Sequence, residues 1–433
     1  MHKLFYILFF VAYQLLQLLV LPFVVLYLVF RRLKGKSIGS LKQRCGFVPT
    51  VTHKNKGLWI HAVSVGEVAA IEYLVDHYKQ KHPHNPCYLT TGTAGGLQTA
   101  SRMRADYISL LPFDFLLPML IAFMRIRPQK IILVEAEMWP NLLMLAYLFK
   151  IPVILLNGRI NQASAQKRKY MGFLYHLCSK IFALTTADAQ HFEQFGIPSA
   201  SLHVTGDIKA WNIAQKKAAL ESAGWRSMAL DMPYPILLAG SVHPGECDTV
   251  LQAYMQARRT IPSLKLILVP RHFTWMNELH KKCSAHAYTL SCWNEQTPLT
   301  ITPQGLQDAL FKALDTNDCL VVQRLGVLFF LYSYASVYYL GGTFVPIGGH
   351  NMLEPAIWAL PCVSGPHLHK CAAIAPELRA AGGLLIANTP NELGSHLVAY
   401  LATKKYIPTG LANYDILKQK AHNVDPVIHT IIE

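Results

Sequence analysis

The stretch LWIHAVSVGEVAAIEYL, Leu58 to Leu74, joins two patterns. It opens with a short apolar run, which is typical of a buried strand, and it closes with apolar residues at helical spacing. Gly66 and Glu67 stand between the two, and Glu67 is the first acidic residue of the chain. A strand that enters a helix through a tight polar loop is the repeating unit of parallel α/β sheets. The stretch therefore predicts a strand, a loop and a helix, with Glu67 where the strand ends.

The same alternation of apolar runs and amphipathic stretches continues along the chain. It pauses at GIPSASLHVTGDIKAW (196–211) and then restarts, which predicts two consecutive doubly wound α/β domains. Ligands of such sheets bind beyond the carboxyl ends of the strands, and two facing domains would share one cleft. The predicted strand runs are 58–65, 87–93, 107–113, 130–137, 152–159 and 180–186 in the first series, and 235–241, 264–270, 319–325, 337–343, 361–366 and 383–388 in the second.

A segment without charge, 4–30, precedes the first domain. As a helix it would be about 40 Å long, enough to cross a bilayer or to lie obliquely in one. It lacks a small-residue cleavage site, so we expect a retained membrane anchor, and a helix lying in the interface is the alternative. The positive-inside rule then places the rest of the chain on the cytoplasmic side of the membrane. The basic residues that follow the segment, and that we expect to bind anionic lipid, are Arg31, Arg32, Lys34, Lys36, Lys42 and Arg44.

These boundaries predict an anchor at 1–30, a basic juxtamembrane segment at 31–56, an N-terminal domain at 57–208 and a C-terminal domain at 209–433, with the last helix able to pack back on the N-terminal domain. The formal net charge of +15 suits an anionic partner. A membrane-tethered binder without enzymatic activity is one reading of that charge, but no nucleic-acid recognition motif accompanies it. The nine cysteines are scattered, which indicates reduced thiols. No D-x-D motif occurs, so neither a metal nor a cofactor is expected.

Loops rich in glycine and histidine end the strands of the second series. AGSVHPGE (239–246) and PRH (270–272) would bring exposed amides and a cation to an anion. The densest stretch is GGTFVPIGGHNMLEPAIWALPCVSGP (341–366), in which Gly348 and Gly349 predict a tight turn with free N–H groups. Glu354, one turn into the following helix, suits the hydroxyls of a ribose. The alternative is a strained turn that is capped only for stability.

Two further carboxylates, Glu135 and Glu137, occur in VEAEMWPN. In a strand they would point to opposite faces, so at most one would reach a cleft. We favour Glu135, and the alternative is a salt bridge to Arg159. A carboxylate such as Glu67 in a first helical turn has an alternative role too, because it stabilises the helix dipole.

Seven motifs together resemble those of the Kdo transferases, which join 3-deoxy-D-manno-octulosonic acid (Kdo) to lipid A precursors. They are HAVSVGE, VEAEMWPN, LLNGRI, VTGDIK, GSVHPGE, PRH and GGTFVPIGGHNMLEPA, and they run in family order between Trp59 and Pro366. The resemblance implies a GT-B glycosyltransferase fold. It also implies the donor CMP-Kdo, held by the C-terminal domain, and a bisphosphorylated lipid A precursor (lipid IVA) as acceptor, bound at the membrane by the N-terminal domain. One or more Kdo units would be added.

The resemblance also implies roles for individual residues. Glu67 would be the general base of an inverting transfer, and Glu135 would orient the acceptor or support the base. Asn157 and Arg159 would bind the acceptor. Asp207 stands where family members often carry Asn. A UDP-sugar transferase or a sugar-nucleotide epimerase on the same fold is the rival. The implied CMP-Kdo contacts are Lys209, Ser241, His243, Gly245, Pro270, Arg271, His272, Gly348, Gly349, His350, Asn351 and Glu354.

Overall fold

The chain forms two compact α/β units. They were obtained as a computed structural model, which describes residues 3–34, 39–52, 55–135, 137–160, 166, 171–285 and 288–432. The first unit comprises Met1–Asn212 and Lys420–Glu433, and the second comprises Ile213–Gln419. The end of the chain therefore belongs to the first unit, and the division lies after Asn212, whereas the sequence placed it after residue 208.

The first unit is built on a parallel sheet of seven strands in the order β3-β2-β1-β4-β5-β6-β7. The order reverses between β1 and β4, which is the switch point at which doubly wound folds bind ligands. Its central strands are buried on both faces, as continuous apolar runs require. The strands are β1 Gly57–His61, β2 Cys87–Thr91, β3 Tyr107–Leu110, β4 Pro128–Val134, β5 Val153–Gly158, β6 Lys180–Ala183 and β7 Leu202–Val204.

The second unit repeats this plan with the order β10-β11-β9-β8-β12-β13-β14, and its switch point lies between β8 and β12. Hydrogen-bonded pairs of neighbouring strands are parallel. The strands are β8 Ile236–Val242, β9 Lys265–Pro270, β10 Leu290–Trp293, β11 Cys319–Val322, β12 Val337–Leu340, β13 Cys362–Ser364 and β14 Leu384–Ile386.

Helices connect the strands in both units. In chain order they are α1 Lys3–Leu33, α2 Leu41–Arg44, α3 Val65–Ala70, α4 Glu72–Lys81, α5 Ala94–Ala100, α6 Leu116–Ile126, α7 Pro140–Leu148, α8 Thr186–Gln194, α9 Ile208–Ser222, α10 Cys247–Thr260, α11 Met276–Ala285, α12 Pro303–Leu314, α13 Leu328–Leu331, α14 Leu353–Ile357, α15 Ala375–Ala380, α16 Pro390–Leu401, α17 Tyr406–His422 and α18 Asp425–Ile432. Short 3₁₀ turns occupy Gly172–Leu177, Ser199–Ser201, Phe273–Trp275 and Tyr332–Tyr334.

The predicted fold class is confirmed, since every predicted run contains a strand of a doubly wound sheet. Two strands were missed, β7 inside the supposed pause and β10 in a stretch that matched no motif. Both are edge strands of their sheets. Each has residues that are not buried, so neither shows the continuous apolar run by which central strands are recognised.

Helix α1 lies against the first unit along much of its length. The ring of Phe9 is 4.8 Å from that of Phe173, and Tyr6 is buried. Further along, the side-chain amide of Gln14 donates to Asn141 Oδ1 at 2.6 Å, and Asn141 Nδ2 donates to Gln17 Oε1 at 3.0 Å. The two glutamines that interrupt the apolar segment thus bind one buried asparagine.

Asp114 completes this polar contact. Its carboxylate accepts the backbone N–H of Asn141 at 3.1 Å and that of Leu142 at 3.2 Å, and it accepts the hydroxyl of Tyr13. Burial raises the pKa of Asp114 to about 7. We call Tyr13, Gln14, Gln17, Asp114 and Asn141 the α1 contact cluster.

Candidate active site

Glu67 lies at the switch point of the first unit, in the first turn of α3. Its backbone N–H donates to Ser64 Oγ at 3.3 Å, and its carboxylate accepts the Ser64 hydroxyl at 2.7 Å and the Val63 N–H at 2.8 Å. This is a variant of the capping box: Ser64 caps the Glu67 N–H, and Glu67 reaches back to the N–H of Val63, one residue before the cap. Only 8% of Glu67 is exposed. A carboxylate has about four lone-pair positions, and two are occupied, so the group can still accept a proton from a ligand.

Glu135 follows β4 on the other side of the switch point. The strand ends at Val134, so the expected alternation of Glu135 and Glu137 across a strand was wrong. Glu135 has φ = 64°, a left-handed conformation that is uncommon outside glycine. Its Oε1 lies 2.7 Å from Lys209 Nζ, so its ion-pair partner is Lys209, and Arg159 was the wrong choice.

Lys209 therefore lies beside two carboxylates of the first unit, Glu135 and Asp207. Burial lowers its pKa, but the charges of Glu135 and Asp207 more than offset this effect, so the pKa is raised. Burial raises the pKa of Asp207, whose side chain accepts the Lys209 N–H at 2.8 Å. The contact between Lys209 and a donor phosphate stays a prediction.

Asn157 lies near the end of the neighbouring strand, β5, and Arg159 directly follows that strand. Asn157 is buried with φ = 59°, and its Oδ1 accepts the Ile208 N–H at the start of α9 at 3.1 Å. The side-chain oxygen of Asn157 thus holds the start of α9, whereas Arg159 is exposed. Acceptor binding by either residue stays a prediction.

His61, in the motif HAVSVGE, and Trp139, in the motif VEAEMWPN, bring buried polar atoms to the end of β1. His61 Nδ1 contacts Thr90 at the end of β1, and burial lowers the pKa of His61 to about 4. Its ring centroid is 5.9 Å from that of Trp139. Among the described residues, neither His61 Nε2 nor Trp139 Nε1 has a hydrogen-bond partner.

In the second unit, Glu246 organises the loops at the switch point. It is fully buried, and its carboxylate accepts the N–H groups of His243 at 2.8 Å and Gly342 at 2.7 Å, together with the hydroxyl of Tyr339 at 2.9 Å. The N–H groups of Thr343 and Phe344 approach it at 3.3 and 3.4 Å. Sequence reasoning missed this residue, although it ends the quoted motif GSVHPGE.

The turn at Gly348 and Gly349 differs from the expectation of free amides. Both glycines have positive φ, as the tight turn requires, but both N–H groups donate to the Gly342 carbonyl at 3.0 Å. A Cβ on Gly348 would lie 2.3 Å from the ring of His369. Because these two N–H groups already donate to Gly342, an anion at this loop would have to bind to side chains.

Those side chains form a basic cluster. His243 and His350 stack with Nε2 atoms 2.7 Å apart, and His272 lies 5.8 Å from His243 between ring centroids. Burial, reinforced by the charge of Arg271, lowers the pKa of His350 to about 4. The His350 ring is therefore neutral near pH 7, while Arg271 is exposed directly after β9. Lys370 adds a further positive charge.

The other predicted residues of this unit surround the cluster. Ser241 has φ = 56° at the end of β8, where Gly341 passes so closely that a Cβ on it would lie 2.2 Å from the Ser241 carbonyl oxygen. Pro270 ends β9, and Gly245 turns the loop with φ = 92°. Asn351 Oδ1 accepts the Leu353 N–H at the start of α14. Burial raises the pKa of Glu354, and the charge of Lys216 partly offsets it.

Comparison with known proteins agrees with this architecture. Residues 39–211 match the family model described as 3-deoxy-D-manno-octulosonic-acid transferase (kdotransferase). The 3-deoxy-D-manno-octulosonic acid transferase of Aquifex aeolicus is 30% identical over 367 residues, covering 83% of this chain and 91% of that protein. The enzyme of the same name from Haemophilus influenzae is 28% identical over 393 residues, covering 88% and 87%.

Solved structures share the fold at low identity. A UDP-GlcNAc 2-epimerase from Neisseria meningitidis has a TM-score of 0.51 and 14% identity, covering 84% of this chain and 99% of that one. Two doubly wound units, each with a parallel sheet of seven strands, give the chain a GT-B-like fold. The chain belongs to the 3-deoxy-D-manno-octulosonic acid transferase family.

Proposed function

We propose that this protein transfers Kdo from CMP-Kdo to a bisphosphorylated lipid A precursor, lipid IVA, and releases CMP. The observation that carries the proposal is the Glu67 carboxylate at the switch point of the first unit, in a chain of this family. A sugar-nucleotide donor and a lipid acceptor are what a transferase of this family requires. A UDP-sugar enzyme or an epimerase remains supported only by fold likeness.

Glu67 acts as the general base in this proposal. It takes the proton of an acceptor hydroxyl while that oxygen attacks the anomeric carbon of Kdo. The bond between the anomeric carbon and the phosphate oxygen breaks, and CMP leaves with the electron pair from the opposite face, so the configuration inverts. Glu135 orients the acceptor, and it is paired with Lys209, whose pKa the charge of Glu67 also helps to raise.

The basic cluster of the second unit holds the donor. One phosphate and one carboxylate make CMP-Kdo an anion, and Arg271, Lys370 and the histidine pair offer charge and ring nitrogens to it. Glu354 accepts from the ribose hydroxyls. Ser241, Gly245, Pro270, Gly348, Gly349 and Asn351 shape the loops around it. Backbone amides contribute little here, because Glu246 and Gly342 already bind several of them.

Helix α1 attaches the enzyme to the inner membrane, with both units on the cytoplasmic side. Among the described residues it is the one helix long and apolar enough to cross a bilayer, with a mean hydropathy of 2.2 over Leu4–Phe30. Its contacts with the first unit from Tyr6 to Gln17 favour the alternative reading, a helix lying in the interface. The anionic lipid surface is thus a partner, together with the donor and the acceptor.

The basic segment after α1 contributes only in part to that attraction. Arg44 is partly buried, and its guanidinium donates to the carbonyls of Leu111 and Gly92, so only part of this side chain could meet a lipid headgroup. Lys36 lies outside the described residues, as do the side chains of Arg31 and Arg32. Lys34 and Lys42 lie within them.

Mass spectrometry of the lipid product tests the reaction. The purified protein is incubated with CMP-Kdo and a tetra-acylated lipid A precursor, and the product should gain the mass of one or more Kdo units while CMP is released. CMP should raise the melting temperature, whereas UMP and UDP should not. Transfer from a UDP-sugar, or stabilisation by UDP alone, would overturn the proposal.

A further inference from the structure

An apolar groove of about 630 Å³ runs between α1 and the body of the first unit. We call it the α1 groove. Side chains of three helices line it, among them Leu18, Leu21 and Val25 of α1, Leu41 of α2, and Leu117 and Leu120 of α6. The proposed reaction assigns no role to this groove.

Polar atoms occur at one end of the groove and are already satisfied. Gln14 and Gln17 line that end, but Gln14 donates to Asn141, and Gln17 accepts from Asn141 and donates to the Asp114 carbonyl. The remaining lining offers no directional contact. The chemistry therefore suits a flexible hydrocarbon, for which burial of apolar area is the driving force.

The α1 contact cluster keeps the groove open in one shape. Asn141 is buried and Asp114 is partly buried, and together they bind three side chains of α1. Separating α1 from the unit would leave these polar groups without partners, which is unfavourable in an apolar environment. The wall formed by α1 is thus fixed before any ligand enters.

The outer face of α1 indicates the environment in which the groove lies. Leu19 and Phe23 are each 71% exposed, and Leu26 is 66% exposed. If α1 lies in the membrane, as proposed above, the groove opens on lipid chains. A peptide would bring unpaired backbone groups into that environment, whereas a fatty-acyl chain brings none.

The groove is also joined to the base by short connections. Trp139 packs its ring against His61 at the end of β1, and two residues later Asn141 binds α1. Arg44, which ends α2, donates to the Gly92 carbonyl, and the Gly92 N–H donates to Val63, whose own N–H binds Glu67. These contacts connect the groove wall to the residues that hold Glu67.

We propose that the α1 groove binds one fatty-acyl chain of the acceptor lipid and so positions the acceptor hydroxyl at Glu67. This inference rests on the proposed function, and it adds that the acceptor is recognised by its hydrocarbon as well as by its sugar and phosphates. The groove then makes the enzyme selective for acylated acceptors, beyond what attachment to a membrane provides.

Filling the groove tests the inference. Leu21→Trp and Leu117→Trp each place a ring in it from opposite walls, and Leu19→Trp, on the outward face of α1, is the matched control. Transfer is measured in detergent with a tetra-acylated acceptor and with the same disaccharide bisphosphate freed of acyl chains. Both groove variants should raise KM for the acylated acceptor by about tenfold or more, since several methylenes lose their site. KM for the deacylated acceptor and CMP binding should not change.

A binding measurement keeps the result independent of catalysis. Calorimetry with the acylated acceptor in detergent should show the same loss of affinity in both groove variants and none in Leu19→Trp. Equal affinity in all four proteins would overturn the groove while leaving transfer intact. A wild type that binds the acylated acceptor but transfers no Kdo would refute the reaction and not the groove. If the groove variants lose affinity for vesicles of phosphatidylglycerol and phosphatidylethanolamine without acceptor, the occupant is bulk lipid and the inference is wrong.

Discussion

Ser64 Oγ and Glu67 Oε1 lie 2.7 Å apart in a capping box that also brings the Val63 N–H to Glu67. The residue proposed as the base is therefore held by the start of its own helix. A structural and a catalytic role coincide in one carboxylate, so a loss of activity alone cannot separate them.

A second capping box in the chain separates the two roles. Thr389 and Glu392 repeat the arrangement at α16, where Glu392 accepts the Asn388 N–H at 2.7 Å. We expect Glu67→Gln to lower kcat by about 10²–10⁴-fold, because an amide cannot take the proton. Glu392→Gln should leave kcat unchanged, and the two variants should show similar, small changes in melting temperature. If Glu67→Gln kept half of the wild-type activity, Glu67 would be excluded as the base.

The pair of Glu135 and Lys209 predicts coupled effects on the acceptor. Glu135→Gln and Lys209→Met should each reduce kcat/KM, and the double variant should lose less than the two single losses combined, by a coupling of about 0.5–3 kcal/mol. CMP affinity should stay constant in all three proteins. A large rise in the Kd for CMP in Lys209→Met alone would instead assign Lys209 to the donor phosphate. Double-mutant kinetics and calorimetry make the distinction.

Glu354 should matter for the donor and not for the lipid. We expect Glu354→Ala to weaken CMP binding by about ten- to a hundredfold, as the loss of a charged hydrogen bond worth about 1.5–3 kcal/mol predicts. Glu377→Ala is the control, since Glu377 is exposed in the first turn of another short helix of the same unit, α15. Calorimetry with CMP measures both. Unchanged affinity in Glu354→Ala would place the ribose elsewhere.

The partly buried Asp114 predicts a pH dependence of stability. Its pKa is about 7 in the folded protein and 3.8 as the ordinary value, so folding takes up a proton between these limits. The unfolding free energy should therefore fall as pH rises from about 4 to 7 and level off above, by at most about 4 kcal/mol.

Asp114→Asn should remove this slope, whereas Asp415→Asn, at an exposed position, should keep it. Denaturant unfolding in detergent between pH 4 and 8 measures the slope for the three proteins. Parallel profiles for the wild type and Asp114→Asn would show that Asp114 does not bind this proton.

Local sequence patterns were enough to predict the fold, but they predicted less of the candidate active site. Apolar runs ending in polar loops located the central strands and put Glu67 where β1 ends. The S-x-x-E signature at Ser64 was present in the sequence and would have predicted the capping box. The left-handed Glu135, by contrast, leaves no signature, because only the packing around β4 and β5 imposes it.

Contacts between distant residues account for what was missed in the second unit. Glu246 binds N–H groups 96 to 98 residues further along, and His243 meets His350 across 107 residues. A carboxylate after a glycine looks the same in sequence whether it is solvated or enclosed by a later loop. The sequence patterns therefore predicted that these loops bind a ligand, but they could not show which backbone N–H groups already have a partner within the protein.

Glu246 has a consequence for how the donor binds. In many phosphate-binding loops the amides are organised by the incoming anion, but here the loop folds around an anion of its own, supplied by its neighbouring helix. The free enzyme should thus already hold the bound conformation, and little ordering entropy remains to be lost when the nucleotide arrives. Hydrogen exchange of the Gly342, Thr343 and Phe344 amides should accordingly be slow without CMP and hardly slower with it. Such a loop acts as a rigid template, and specificity then depends on the side chains that line it.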